Sequence, residues 1–183
     1  MDDETVVLFD VIDRLDTASI DYMVTGSTAM AFYAIPRMTR DIDLVVRILP
    51  EDAVRVYDLF KDQYYIDKDA VIRSIAASRL FNIIEYKRVV KVDIIVRKDE
   101  EYRILEFSRR QRIHYKQQAI WVVSPEDLIL SKLLWAKDTK SQLQLRDVKQ
   151  LIQMVEAVDT NYVRDWSARL GVFHLLEEAV QNE

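Results

Sequence analysis

The alternation of apolar and polar positions near the start of the chain predicts a helix, a strand and a second helix. Apolar residues recur at helical spacing behind an acidic start, which predicts the first helix over about residues 4–17. Residues 22–25 form a short apolar run that ends at Gly26. Residues 27–34 have the composition of a helix, which Pro36 should end. The local order is therefore strand, glycine turn, helix.

Four further apolar runs have the character of strands: residues 41–46, 80–86, 90–96 and 119–123. The second and third of these runs lie three residues apart, so they predict an antiparallel hairpin. Between the strands, Pro50 should open a helix with Val54, Tyr57 and Phe60 or Lys61 in register. These connections predict a mixed sheet that contains antiparallel pairs.

A strong helix start divides the chain near residue 124. Ser124 is a hydroxyl N-cap, Pro125 takes the first helical position, and two acids follow in the first turn. From there to the end the pattern is helical. We therefore predict an α/β (α+β) fold with a mixed β-sheet flanked by helices. Residues 1–123 would form its core, and residues 124–183 a C-terminal helical region packed on that core.

The size and composition of the chain limit the classes of protein it can belong to. With 183 residues it fits one compact domain, or one domain with a small appendage. It has no cysteine, which excludes disulfides, thiolate metal sites and cysteine nucleophiles and favours a cytoplasmic location. No apolar run approaches the ~20 residues that span a bilayer, so we expect no membrane association. The formal net charge of −5 argues against bulk attraction to nucleic acid.

The chemistry of the chain centres on one glycine turn and two nearby acids. Only two glycines occur in the sequence, so Gly26 is expected where the backbone requires one. Thirteen residues separate Ser27 from Asp41, and Asp43 follows in the same strand. Side chains at i and i+2 of a strand share a face, so the two carboxylates repel each other by about 2.5 kcal/mol at an effective dielectric of about 20. A positive group is therefore expected between them.

Asp93 adds a third acid inside another apolar run. A carboxylate between Val92 and Ile94 is costly to bury unless a cation or hydrogen-bond donors meet it. Mg²⁺ prefers carboxylates together with substrate phosphates, and three converging acids can hold two metal ions for an in-line phosphoryl displacement. The turn at Gly26 and Ser27 would add backbone N–H groups at a helix N-terminus and a hydroxyl for anion binding.

Each of these signals also has a purely structural interpretation. A lone Asp-x-Asp in a strand is more often a solvated edge, and a lone Gly-Ser is usually a turn. Their ordered combination with a third acid is much rarer by chance, which favours the functional interpretation. We therefore predict Asp41, Asp43 and Asp93 as catalytic and metal-binding residues.

Two cationic residues are candidates for phosphate binding. Lys132 interrupts the apolar stripe of its helix, so it either directs a cation at a triphosphate or snorkels to the surface. Arg40 leads into the acidic strand and is either a phosphate ligand or a surface residue. Arg146 and Asp147 are interpreted as a local ion pair or as residues that pack against the α/β part.

Residues 107–116 interleave basic and aromatic side chains. Such a pattern either tracks a phosphate backbone or forms a solvated strand face, and the acidic net charge favours the second interpretation. His114 and His174 have no partner at the spacing of a metal site or a catalytic triad, so neither is predicted to be catalytic.

The order Gly26-Ser27, Asp41-x-Asp43 and a later Asp93 resembles the DNA polymerase beta-like nucleotidyltransferase superfamily. Within it, the chain is similar to the small bacterial and archaeal proteins grouped with the abortive-infection (AbiEii-like) nucleotidyltransferases. The segments that carry this resemblance are residues 24–27, 37–45, 124–133 and 145–148. It extends over nearly the whole chain.

The resemblance implies a nucleotidyltransferase fold and a chemistry that depends on Mg²⁺, with Mn²⁺ as an alternative ion. It implies that Asp41 and Asp43 bind metal, and that Asp93 completes the site and helps to activate the acceptor hydroxyl. Gly26-Ser27 would grip the triphosphate, and Lys132 would contact phosphate from its helix. We expect no long acceptor-binding domain of the kind that larger members carry, which leaves the acceptor open.

Two functions compete on the sequence alone. The first is an enzyme that moves a nucleoside monophosphate from an NTP to a hydroxyl of RNA, protein or a small molecule, as toxins that modify transfer RNA do. The second is a catalytically inactive module of the same fold that binds nucleotide or a partner protein. The expected partners are an NTP, an acceptor such as tRNA or a protein, and an antitoxin. The apolar helical tail either caps the core or forms a homodimer face.

Overall fold

The computed structural model of the protein describes residues 1–35 and 41–181 and contains a mixed seven-stranded sheet. The α/β fold with a mixed β-sheet flanked by helices and a C-terminal helical tail is thereby confirmed. The helices are α1 (Asp3–Thr17), α2 (Gly26–Met30), α3 (Ala53–Phe60), α4 (Lys68–Ala76), α5 (Glu101–Ser108), α6 (Pro125–Thr139), α7 (Gln142–Met154), α8 (Thr160–Arg169) and α9 (Phe173–Gln181).

The strands run in the order β3-β4-β5-β2-β1-β7-β6 across the sheet. They are β1 (Tyr22–Thr25), β2 (Asp41–Val46), β3 (Tyr64–Tyr65), β4 (Leu80–Glu85), β5 (Lys91–Val96), β6 (Gln111–Tyr115) and β7 (Gln118–Val122). The pairs β2–β5 and β1–β7 are parallel, and the other four neighbouring pairs are antiparallel. The hairpin predicted from the runs 80–86 and 90–96 is the β4–β5 pair.

The described residues group into two compact units. The first contains residues 1–28 and 41–122, and the second contains residues 29–35 and 123–181. The core of each unit consists of fully buried apolar side chains. In the first unit they include Val11, Ile12, Met23, Leu44, Ile83 and Val92, and in the second Leu130, Leu133, Val148, Leu151 and Val172. The domain boundary predicted between residues 123 and 124 stays a prediction.

Helix starts follow the capping residues of the sequence. The Asp2 side chain accepts a hydrogen bond from the Thr5 backbone N–H at the start of α1, and the Ser124 hydroxyl accepts one from the Asp127 N–H at the start of α6. A side-chain oxygen at this position satisfies a backbone donor that the helix leaves without an internal partner. The helix start predicted at Ser124 is confirmed.

Two predicted helices differ from those of the structure. Helix α2 ends at Met30 rather than near residue 35, and turns follow it. Before α3, residues Pro50–Asp52 form a single 3₁₀ turn, so the α-helix proper begins at Ala53. Its buried face consequently contains Val56 and Phe60, whereas Val54 is exposed. The predicted register was therefore wrong at Val54, whereas Tyr57 is half-buried and Phe60 is buried as predicted.

Helices α4 and α5 do not follow from the apolar pattern alone. Their inward faces are narrow, with Val71 and Ile75 buried in α4 and Tyr102 and Phe107 buried in α5. An apolar stripe of two residues is too short for helical periodicity to stand out. Within residues 1–35 and 41–181, no helix combines the length and the apolar character needed to span a membrane.

Candidate functional site

The parallel pairing of β2 with β5 brings the predicted acids onto neighbouring strands. In this register Asp43 lies opposite Asp93, and Asp41 lies opposite Lys91. Thr25 of β1 lies on the other side of Asp43. Since side chains directly opposite one another on paired strands project from the same face, Asp41, Asp43, Lys91 and Asp93 share one face of the sheet. Two acids separated by 50 positions in the sequence thus become neighbours.

Burial distinguishes the three acids. Asp43 and Asp93 are buried, with 8% and 9% of their surfaces exposed. The Asp41 side chain, at the first position of β2, is 51% exposed. The prediction that Ile42 and Leu44 enter the core is confirmed, since both are buried. On this face of the sheet, the Asp41 side chain is therefore exposed to solvent, whereas Asp43 and Asp93 are buried.

The absence of a side chain at Gly26 leaves room for the carboxylate of Asp43. The glycine has a φ of +63°, and a Cβ atom added to it would lie 2.1 Å from Asp43 Oδ2 and 2.6 Å from Asp43 Cγ. No atom pair tolerates that approach, so a side chain at this position would occupy the space of the carboxylate. The expectation that backbone geometry requires this glycine is confirmed, and the glycine turn and the buried acid form one structural unit.

We expect Gly26→Ala to destabilise the protein by about 2–4 kcal/mol, the sum of left-handed backbone strain and displacement of the Asp43 carboxylate. Thermal or urea denaturation measures this cost. Gly171→Ala is the matched control, because Gly171 also has a positive φ of +68° but its added Cβ would meet nothing closer than Lys137 Nζ at 3.5 Å. We expect the control to cost only about 1 kcal/mol of strain. Equal destabilisation by the two variants would contradict the proposed steric conflict.

Lys91 is the site residue that the sequence interpretation missed. Its Nζ donates to Asp93 Oδ2 at 2.8 Å and lies 3.7 Å from Asp41 Oδ2. The hydrogen bond to Asp93, together with the charges of Asp93, Asp41 and Asp43, raises the pKa of the Lys91 ammonium, so Lys91 stays cationic. The sequence signal was its position two residues before Asp93, which puts both side chains on one face of β5. Lys91 thus brings a positive charge into contact with Asp41 and Asp93, and this charge also interacts with that of Asp43.

One buried atom of the site has its hydrogen-bonding capacity unused. Asp93 Oδ1 is buried and has no hydrogen-bond partner among the described residues. A buried polar atom without a partner costs about 1–3 kcal/mol, so it marks a place where a ligand or a proton donor is expected. Within the described part of the chain, however, no three acidic or histidine side chains converge closely enough to hold a metal ion.

The glycine turn is tied to the start of β2. The Thr28 hydroxyl donates to the Asp41 backbone carbonyl at 3.4 Å, and Ser27 is half-buried at the start of α2. Helix α2 has only five residues, so the helix dipole adds little to the anion binding that was expected from the backbone N–H groups at its N-terminus. Arg40, predicted to bind phosphate, lies outside the described residues.

Lys132 lies in the second unit and is deeply buried. Its Nζ donates to Asp147 Oδ2 at 2.6 Å and to Gln144 Oε1 at 3.3 Å, which joins α6 to α7. Only 3% of each charged side chain is exposed, so the interpretation of Lys132 as a snorkelling lysine was wrong. Asp147 pairs with Lys132 across two helices. A role for Lys132 in phosphate binding stays a prediction.

The basic and aromatic segment 107–116 forms the end of α5 and strand β6. Its guanidinium groups contact aromatic rings: Arg110 lies 4.4 Å from the Phe107 ring centroid and 4.8 Å from that of Trp121. Arg110 also pairs with Asp21 at 3.2 Å. These contacts favour the interpretation of this segment as a solvated strand face. His114 and His174 are both exposed.

Comparison with known proteins places this geometry in a family. The family model described as "Nucleotidyl transferase AbiEii toxin, Type IV TA system" matches residues 11–168, which is most of the chain. The chain belongs to the AbiEii nucleotidyl transferase family. The resemblance drawn from the acid and glycine motifs is thereby confirmed. No curated protein matches the sequence of this AbiEii family member.

Solved structures share the fold of this AbiEii family member. An antigenic nucleotidyltransferase-like protein from Paracoccidioides brasiliensis is 17% identical with a TM-score of 0.61, over 98% of this chain and 93% of that chain. The antibiotic-resistance factor ANT(2″)-Ia is 10% identical with a TM-score of 0.59, over 94% and 96%. The lincosamide antibiotic adenylyltransferase LnuA is 13% identical with a TM-score of 0.53, over 81% and 96%. At these identities the likeness is one of fold.

Proposed function

We propose that this AbiEii family member is a nucleotidyltransferase that moves a nucleoside monophosphate from an NTP to a hydroxyl acceptor and releases pyrophosphate. The acceptor is a hydroxyl of RNA, of a protein or of a small molecule. One observation carries the proposal: the β2–β5 register sets Asp43 beside Asp93, while Asp43 lies against the Cα of Gly26. A buried pair of acids next to a glycine turn is suited to phosphoryl chemistry.

The chemistry of the donor set fits Mg²⁺, or Mn²⁺ in its place. Asp41, Asp43 and Asp93 offer only oxygen ligands, and Asp93 Oδ1 is a buried acceptor without a hydrogen-bond partner among the described residues. Asp43 and Asp93, which lie opposite each other on β2 and β5, would hold the ion together with phosphate and water oxygens, because the three acids do not converge closely enough to hold it alone. A bound divalent cation would neutralise charge on the phosphates and polarise the phosphorus for attack.

The residues of the chain supply binding and proton transfer. In the proposed reaction the Gly26-Ser27 turn binds the triphosphate. The acceptor oxygen forms a bond to the α-phosphorus, and the bond between the α-phosphorus and the oxygen of the β-phosphate breaks. In this proposal the proton of the acceptor hydroxyl passes to the carboxylate of Asp93. Pyrophosphate takes the electron pair of the broken bond.

Transfer of labelled nucleotide tests the proposal directly. The purified protein would be incubated with Mg²⁺ and each α-³²P-labelled NTP, together with total RNA, lysate protein or a panel of hydroxylated small molecules that includes lincomycin. We expect label to enter one acceptor class. The double variant Asp41→Ala/Asp43→Ala is the control, and EDTA should also stop transfer. The proposal is wrong if the wild type labels no acceptor pool, or if the double variant labels the same pool equally well.

One observation favours a second candidate function, a binding module without chemistry. We call Asp41, Asp43 and Asp93 the acid cluster. Lys91 already neutralises part of its charge, so the protein could bind nucleotide without a metal ion. Calorimetry with each NTP, with and without Mg²⁺, separates the two. NTP binding that requires Mg²⁺ and is lost in Asp43→Ala supports the enzyme. NTP binding that is the same with and without Mg²⁺ supports the binding module.

We also propose that the protein acts as the toxin of a toxin–antitoxin pair, as the description of its family states for that family. Expression of the protein alone should then arrest growth, and co-expression of an antitoxin gene from the same locus should restore it. The double variant Asp41→Ala/Asp43→Ala should not arrest growth at equal protein levels. Arrest by the double variant would show that toxicity does not depend on the acid cluster.

A further inference from the structure

The face of the sheet that carries the acid cluster continues onto β4 and β3. In the antiparallel register of β4 and β5, Asn82 lies directly opposite Asp93. Two residues further along β4, Ile84 lies opposite Tyr65 of β3. Residues opposite one another on paired strands project from the same face, and side chains alternate between the two faces along each strand. Asn82, Ile84 and Tyr65 therefore share the face of Asp93.

This face is closed on one side of the acids and open on the other. Toward β1, Thr25 lies opposite Asp43 and is buried. Toward β3, Asn82 is exposed, and so is 56% of the surface of Tyr65. The open side, which consists of β4 and β3, therefore has room for a molecule that lies on the sheet beside Asp93.

The order of the strands decides which substrate can occupy the open side. Across the sheet the order is β3, β4, β5, β2 and β1, and Gly26 directly follows β1. The Gly26 turn and Asn82 consequently lie on opposite sides of the two buried acids. In the proposed reaction this turn binds the triphosphate, and an in-line displacement places the attacking oxygen opposite the leaving pyrophosphate. The acceptor hydroxyl is therefore expected on the β4 side of Asp93.

The side chains of the open side suit an uncharged molecule. Strands β3 and β4 contain no lysine, arginine or histidine. An RNA acceptor would bring one phosphate charge per nucleotide close to the acid cluster, with no cation on these two strands to meet it. An aromatic ring at Tyr65, aliphatic side chains at Leu80 and Ile84 and an amide at Asn82 instead offer packing for a ring and a hydrogen bond for a polar substituent.

We propose that the open face of β4 and β3 is the acceptor site, and that it takes a small hydroxylated molecule with an uncharged ring next to the reacting hydroxyl. The inference rests on the proposed function, from which it takes the position of the triphosphate and the role of Asp93. Tyr65 packs against the ring and Asn82 hydrogen-bonds to a polar group beside it. Together they hold the hydroxyl next to Asp93 and take no part in NTP binding.

Kinetics of label transfer to the panel of hydroxylated small molecules test the two acceptor-binding residues. We expect Tyr65→Ala and Asn82→Ala each to raise the KM for the acceptor about three- to tenfold, the range for loss of one aromatic contact or one neutral hydrogen bond. The affinity for the NTP, measured by calorimetry, should not change. Label that enters RNA instead of the panel overturns the proposal, and so does a loss of NTP affinity in Tyr65→Ala.

Tyr86→Ala is the matched control for Tyr65→Ala. The two tyrosines are about equally exposed, at 58% and 56% of their surfaces, but Tyr86 lines a cavity with Val6 and Val7 of α1. Its replacement should leave the KM for the acceptor unchanged. An equal rise of this KM in Tyr86→Ala and Tyr65→Ala would contradict the assignment of the acceptor site to the open face.

A binding measurement separates this inference from the proposed enzyme. In ¹⁵N-labelled protein, the side-chain amide signal that is missing from Asn82→Ala identifies Asn82. We expect a member of the panel to shift this signal, and to shift it less in Tyr65→Ala, whereas an unstructured RNA oligonucleotide should not. A shift without label transfer refutes the enzyme and leaves the acceptor site intact. Label transfer to a panel member that does not shift the signal refutes the acceptor site alone, and absence of both refutes both.

Discussion

The Asp43→Asn variant is expected to transfer nucleotide about 10³-fold more slowly than the wild type. The amide has nearly the shape of the carboxylate, so it still fits against Gly26, but it removes one of the two buried negative charges of the site. Loss of one preorganised charge at a reacting centre costs up to about 10³-fold in rate. The rate should be measured as kcat/KM with the labelled NTP and the acceptor found by the transfer assay.

Stability provides the second readout for Asp43→Asn. Asp43 and Asp93 are buried opposite each other, so removal of one of the two like charges should leave the melting temperature equal or raise it. Asp58→Asn is the matched control, since Asp58 is exposed on α3 and pairs only with the neighbouring Lys61 at 2.7 Å among the contacts described. It should keep full activity. If Asp43→Asn retains more than about a tenth of the wild-type rate, Asp43 has no catalytic role.

Lys132→Met is expected to cause the largest loss of stability, about 3–5 kcal/mol. The variant leaves Asp147 buried without the ammonium that lies 2.6 Å from its Oδ2 in the wild type. For a chain of this length, that loss corresponds to a fall of roughly 10 °C in melting temperature. Urea denaturation monitored by circular dichroism measures the free energy of unfolding.

The control for Lys132→Met is an ion pair of the same length at the surface. Lys61 lies 2.7 Å from Asp58, with 42% and 52% of the two side chains exposed, so Lys61→Met should cost less than about 1 kcal/mol. The double variant Lys132→Met/Asp147→Leu removes both buried charges and should recover most of the loss. The prediction is wrong if Lys132→Met destabilises the protein no more than Lys61→Met.

Local features of the sequence predicted much of the fold. Three features depend on residues that are close together in the sequence: the hairpin β4–β5, the N-cap at Ser124 and the strand that precedes Gly26. In such cases capping, strand composition and backbone freedom act locally, so a single sequence is enough. Helix α3 shows the limit, because the 3₁₀ turn Pro50–Asp52 changed which residues of the helix face inward.

The candidate site was only partly predictable, because its key relations are long-range. The sequence showed that Asp41 and Asp43 share a face, but it could not show that β5 pairs in parallel with β2 so that Asp93 lies opposite Asp43. Lys91 was missed for the same reason, since its bridge to Asp41 depends on that register. The pairing of Lys132 with Asp147 likewise joins residues 15 positions apart on two helices.

The two outermost strands of the sheet influence how copies of this protein behave when crowded together. Strand β3 has only two residues, and β6 carries exposed polar side chains at Gln111, Arg112 and His114. Short or polar edge strands of this kind offer another polypeptide few backbone groups with which to add a strand to the sheet. We therefore expect resistance to amyloid-like association at millimolar concentrations, even though the interior strands are among the most apolar segments of the chain.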